Sequence, residues 1–167
     1  MAEKPAKKTV SIAIKRGRPV LPKVVVATGF RLRLDKQTGL IEILLKANPR
    51  GERVTLDPIV VGSNLGIFKQ YAAGLGIEPD DSAEMEDVTV GESNTFANIV
   101  FLTHMGHRAE TTFGLFSLHD WVEAGRQPKA ASAEVASHDV LVAVSTTAFQ
   151  KKLLSELMVL MAGQEAP

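Results

Sequence analysis

Two similar segments lie 82 positions apart in this chain, and they constrain its fold more than any other feature. Asp57 to Leu75 reads DPIVVGSNLGIFKQYAAGL, and Asp139 to Leu157 reads DVLVAVSTTAFQKKLLSEL. Without gaps, Asp57 falls on Asp139, Val60 on Val142, Ser63 on Ser145, Lys69 on Lys151 and Leu75 on Leu157. Each segment runs from a short apolar strand into a helix. Ser63 or Asn64 is expected to cap the first helix, and Ser145 or Thr146 the second, because a short polar side chain accepts a bond from an unpaired backbone N–H. Upstream of each segment lie two long strands joined by a tight turn. A strand–strand–strand–helix unit used twice is therefore expected. It gives an α+β protein whose antiparallel sheets are covered by helices and whose two copies pack as a pseudo-dimer.

On this reading residues 1–8 are a disordered basic tail, 9–76 the first repeat, 77–93 an acidic linker and 94–162 the second repeat, interrupted by an insertion at 119–137. A length of 167 residues suits one compact domain overall. Thr9 to Lys15 alternates like a strand, and the Gly- and Pro-broken run Arg16 to Pro22 forms a loop or edge connection. In Val24 to Asp35, Phe30, Leu32 and Leu34 point one way and Arg31 and Arg33 the other. Gly39 is placed to take a positive φ in the following turn. Leu40 to Ala47 returns, and Arg53 to Val61 makes a third strand before a helix carrying Tyr71 on its core stripe. The second copy repeats the plan with Thr95 to His104 and Ala109 to Leu118. The start of the insertion, HDWVEAG, suits one or two helical turns, and its end, QPKAASAEVAS, reads as loop.

Charge and cysteine content narrow the function classes. The chain has no cysteine, which excludes disulfides, thiolate catalysis and Cys-based zinc sites. No apolar run is long enough to cross a bilayer as a helix, and a cytoplasmic, non-membrane setting is expected. Net charge is zero but unevenly placed. Residues 1–23 carry seven basic side chains against Glu3 alone, whereas 77–92 carry seven acidic ones and no basic one.

The last helix, expected over Thr146 to Met161, carries too many apolar residues for one contact. At 100° per residue, its Phe, Leu and Met side chains cover roughly 180° of the circumference, wider than the ~100° a surface helix needs. One sheet face fills only part of that arc. The expectation is that Leu153, Leu154, Met158 and Met161 meet the other repeat or a second chain, making the protein a homo-oligomer with a protein partner.

Other candidates carry a specific chemistry beside a plain alternative. Lys15 to Pro19 reads KRGRP and resembles the AT-hook family, whose Arg-Gly-Arg core lies in a narrow A·T minor groove. The plain alternative is a basic loop between strands. Lys15, Arg16, Arg18, Arg31 and Arg33 are the candidate nucleic-acid contacts, and Arg31 and Arg33, with Lys46 nearby on the return strand, could form a cationic strip. Glu42 and Asp35 lie close enough to neutralise part of that strip. His104, His107, His119 and His138, with Asp120 and Asp139, offer N/O metal ligands or simply exposed loop histidines. No nucleophile–base pattern is visible, and Val61 to Gly66 lacks the lysine and spacing of a phosphate loop. No catalytic residue, metal or cofactor is expected.

Two family resemblances follow from the second half. Phe96-Ala97-Asn98, Phe113, Phe116 and the helix with Lys151-Lys152-Leu153-Leu154 resemble a small prokaryotic family of unknown function. Gly114 to Leu118 followed by His138 to Leu157 resembles the SecB export chaperones, which implies an antiparallel sheet followed by a helix, and tetramers. The repeated strands-then-helix plan is similar in topology to the PUR and whirly single-strand nucleic-acid binders. The function expected is a non-enzymatic interaction module that self-associates through the C-terminal helix and sheet surface; the alternative is a nucleic-acid binder.

Overall fold

In the computed structural model, which describes residues 11–16, 22–35, 37–47, 51–57, 69–78, 86–87, 95–126 and 132–165, the alternating segments become strands of one sheet. They are β1 (Ser11–Arg16), β2 (Lys23–Leu34), β3 (Ile41–Ala47), β4 (Gly51–Leu56), β5 (Glu86–Asp87), β6 (Phe96–Ala97), β7 (Ile99–Met105), β8 (Arg108–Phe116) and β9 (Ser132–Thr146). The helices are α1 (69–75), α2 (Leu118–Gly125) and α3 (Thr147–Glu165). The mixed α+β class agrees with the sequence. The tail at 1–8, Arg18, the end of the third strand at 58–61, the caps Ser63 and Asn64, and most of the acidic linker lie outside the described residues.

The strand order is β6-β4-β3-β2-β9-β8-β7, with β1 paired to β9 and β5 to β2. Pairs β2–β3, β3–β4, β7–β8 and β8–β9 are antiparallel, so each half contributes a meander. The meanders meet differently from the all-antiparallel expectation, because β2 runs parallel to β9, and β1 on β9 and β6 on β4 are also parallel. Such neighbours are reached by long crossovers rather than hairpins, and crossovers carry no local turn signal.

The sheet curls until its ends meet. β6 and β7 are one strand bent at Asn98, with β6 paired to β4 and β7 to β8. Asn98 stabilises the bend from a buried position. Its N–H donates to the Gly114 carbonyl at 3.0 Å, its Nδ2 to the Phe116 carbonyl at 2.9 Å, and its Oδ1 accepts from the Phe116 N–H at 3.0 Å. The side-chain amide thus takes the place of a backbone pair where the chain turns. Inside the curl, Ile41, Ile43, Leu45, Val54, Phe113 and Leu141 close on α3 as one core. The start of α3 is fixed at the β7–β8 turn. The Thr146 Oγ1 accepts from the Phe149 N–H at 3.1 Å, and the Thr147 N–H and hydroxyl donate to the carbonyls of His107 and Gly106.

Two register shifts decide which side chains face out. Between Ala27 and Gly29 an extra residue reverses the alternation of β2: Val25 and Ala27 point inward before it, Leu32 after it. Val24, Val26, Arg31 and Arg33 therefore share the outer face. The second shift, between Phe113 and Gly114, puts its extra residue on β9 at Val140, so Leu141 and Ala143 face the core around α3 while Val135 joins the second cluster. Gly39 takes a φ of 72° in the β2–β3 turn, as its position implies.

β9 is longer than the sequence suggests. Its first six residues, Ser132 to Ser137, fall in the part of the insertion read as loop, yet pair with Ser11 to Arg16. Ala, Ser and Glu are weak strand formers, and here pairing overrides that preference. Val135 is buried with Ile99, Phe116 and Ala124, and Ile12, Ile14 and Trp121 pack on the same cluster. α2 supplies its cover, capped by Ser117, whose Oγ accepts from the Asp120 N–H at 3.2 Å. Among the described residues no helix is long and apolar enough to cross a membrane.

Candidate functional site

The helix residues expected to meet the other repeat or a second chain are core residues of the single chain, packed in one cluster with β2, β3 and β4. Leu153, Leu154, Met158 and Met161 are between 1% and 4% exposed, and Leu157 and Leu160 are buried with them. The curled sheet and α1 cover these residues, leaving Phe149 half-buried at the start of the helix. α3 thus presents no free apolar face built from these four residues.

The basic residues separate into paired and unpaired ones. Lys15 on β1 is exposed and lies 3.8 Å from Glu134. Arg16 ends β1. Arg33 stands opposite Glu42 in the β2–β3 register, with Nη1 3.6 Å from the carboxylate. The Glu42 side chain is buried on the outer face, and that guanidinium supplies its countercharge. Arg31, Lys46 and Lys152 are exposed and have no ion-pair partner among the described residues. Lys15 is level with Ala136, whereas β2 leaves β9 only beyond Val144, so roughly 25 Å of strand separates Lys15 from the Arg31 region. Lys15 therefore stands apart from the strip of Arg31, Arg33 and Lys46 on the first long strand and its neighbour.

The histidines do not converge. Among the described residues, no three His, Asp or Glu side chains gather at metal-binding distance. His119 and His138 are exposed on α2 and β9, and His107 sits in the β7–β8 turn. His104 instead joins a network invisible in the sequence. The Tyr71 hydroxyl donates to Gln150 Oε1 at 2.8 Å and lies 2.7 Å from His104 Nδ1, the two rings meeting edge-on. An amide oxygen only accepts, so the phenolic hydrogen goes to Gln150 and His104 Nδ1 is the donor to the phenol. Gln150, itself buried, directs Nε2 at the carbonyls of Thr103 and Glu110 and the Thr111 hydroxyl, at 3.1–3.3 Å. Burial pushes the Tyr71 phenol above its ordinary value of 10.0. This network fastens α1, α3 and the β7–β8 hairpin together. A glutamine at the helix position equivalent to Phe68 of the first segment is the one clue the sequence holds.

What remains uncovered is the outer face where β2 runs beside β9. Val24 and Val26 are 62% and 61% exposed in the middle of the sheet. Their cross-strand partners are the buried Val142 and the half-buried Val144, so the two exposed valines stand beside apolar neighbours on one pleated surface. Comparison with protein families, with curated proteins and with solved structures finds no match to this chain.

Proposed function

We propose that the chain is a non-enzymatic interaction module that self-associates through the outer face of its sheet, with a second copy as the occupant. The observation that carries this reading is the exposure of Val24 and Val26 beside Val142 and Val144. β-Branched side chains on a pleated surface interdigitate well with another sheet, and a two-fold contact needs only a patch that matches itself. The same face is where a protein partner would dock, and the resemblance of the second half to SecB agrees with protein binding in kind. Its setting in this reading is the cytoplasm, supported by the absence of cysteine. The doubled unit belongs to the same proposal. It is supported by the shared order of three strands and a helix in β2-β3-β4-α1 and in β7-β8-β9-α3, where α2 intervenes between β8 and β9.

Analytical ultracentrifugation tests the contact. Wild-type protein should sediment above the mass of one chain, and the double variant Val24→Glu, Val26→Glu should fall towards one chain with unchanged circular dichroism. A wild type that sediments as a single chain throughout the micromolar range rejects self-association.

A further inference from the structure

β2 belongs to two neighbours in succession. Lys23 to Val26 pair with β9, and beyond the bulge Gly29 to Leu34 pair with β3, with β5 on the other side only at Arg33 and Leu34. Where β2 parts from β9, a wedge of about 410 Å³ opens between the bulge and the first two turns of α3. That volume is in the range of small-ligand sites. Arg31, Lys46 and Lys152 line it, and no carboxylate does among the described residues. Three unneutralised cations around one concavity repel each other and favour an anion between them. The wall is aromatic. Phe30 and Phe149, half-buried, meet edge-to-face at a centroid distance of 5.5 Å. The helix end adds little, because the Phe149 and Thr147 N–H groups are already engaged by Thr146 Oγ1 and the His107 carbonyl.

We infer that this wedge binds a nucleotide, its phosphate held by Arg31, Lys46 and Lys152 and its base packed against the Phe30–Phe149 wall. The nucleotide is either free or one unit of a single strand, because both sources present the same phosphate and flat ring. Lysine and arginine supply non-specific phosphate contacts, and a base on an aromatic side chain adds affinity without reading sequence. The inference is independent of the self-association reading, since it uses neither Val24 nor Val26.

Binding is measured by calorimetry and fluorescence polarisation at low salt with three probes: inorganic phosphate, adenosine monophosphate and a labelled twelve-residue oligodeoxythymidine. The expected result is that the nucleotide or the oligonucleotide binds about tenfold or more tightly than phosphate. If the oligonucleotide is the tighter of the two, the source is a strand; if they are equal, it is a free nucleotide. Either affinity should fall in Arg31→Ala and Lys152→Ala, and for the strand the salt slope should drop by about 1 per cation removed. Val24→Glu, Val26→Glu should bind as wild type does. Three results overturn the inference: no probe bound, phosphate bound as well as the nucleotide, or binding undiminished in the Arg31→Ala, Lys46→Ala, Lys152→Ala triple variant.

Discussion

Replacing Asn98 with alanine should weaken the protein more than its size suggests. The side chain is a single amide, but it makes both bonds to the Phe116 backbone at the bend joining β6 to β7, inside the fold. Asn98→Ala leaves a buried N–H and a buried C=O without partners, each costing about 1–3 kcal/mol. The two together amount to about 2–6 kcal/mol, since Asn98 is buried. For a chain of this length each kcal/mol moves the melting temperature by about 2–4 °C, so a fall of roughly 4–24 °C is expected. Urea titration followed by circular dichroism should show a lower midpoint with an unchanged slope, the sign of lost stability without an altered native state. Hydrogen exchange should show lost protection at the Phe116 amide. The comparison variant is Val122→Ala, on the exposed side of α2, expected within about 0.5 kcal/mol of wild type. If Asn98→Ala lies within the same margin, the amide does not hold the sheet closed, and the account of how the two ends meet is wrong.

Two further predictions test the core. Leu154→Ala should cost about 2–5 kcal/mol, the range for truncating a leucine with no solvent contact, and Leu154→Glu should not fold. A Leu154→Glu protein that keeps its circular dichroism and only loses mass in the ultracentrifuge would put α3 at an interface instead. Tyr71 is the only tyrosine, so absorbance of the phenolate at 295 nm reports it alone. Its midpoint should lie above 10.0 in the native protein and return to 10.0 in denaturant. The neutral phenol is the favoured buried form. Its contribution to stability is therefore complete below the unfolded value and is lost as pH rises through the higher folded one. A native midpoint at 10.0 would mean that the hydroxyl is in water and the link to Gln150 is absent.

How much of this was legible depended on whether the deciding interaction was local. Alternation placed β2, β3, β7 and β8 within a few residues, because a half-buried strand writes its burial directly into its sequence. Gly39, the cap at Thr146 and the opposition of Arg33 to Glu42 followed from turn, helix-end and cross-strand chemistry. The role of Asn98 was not legible, since a side chain standing in for backbone leaves no period. Ser132 to Ser137 were hidden because their strand exists only through β1, more than a hundred residues away in sequence. The broad apolar arc of α3 is the most instructive case. It admits two explanations, a partner or a sheet that wraps, and the variable that separates them is sheet curvature. That curvature depends on the register shifts at Ala27/Gly29 and Phe113/Gly114 and on the bend at Asn98, none of which alters composition. A wide arc on a helix therefore measures how much sheet the helix meets, and it argues for a second chain only after the sheet's own reach has been subtracted. After that subtraction Leu153, Leu154, Leu157, Met158, Leu160 and Met161 of α3 are all accounted for within the chain, and among the described residues the adjacent apolar pair that still faces water in mid-sheet is Val24 and Val26.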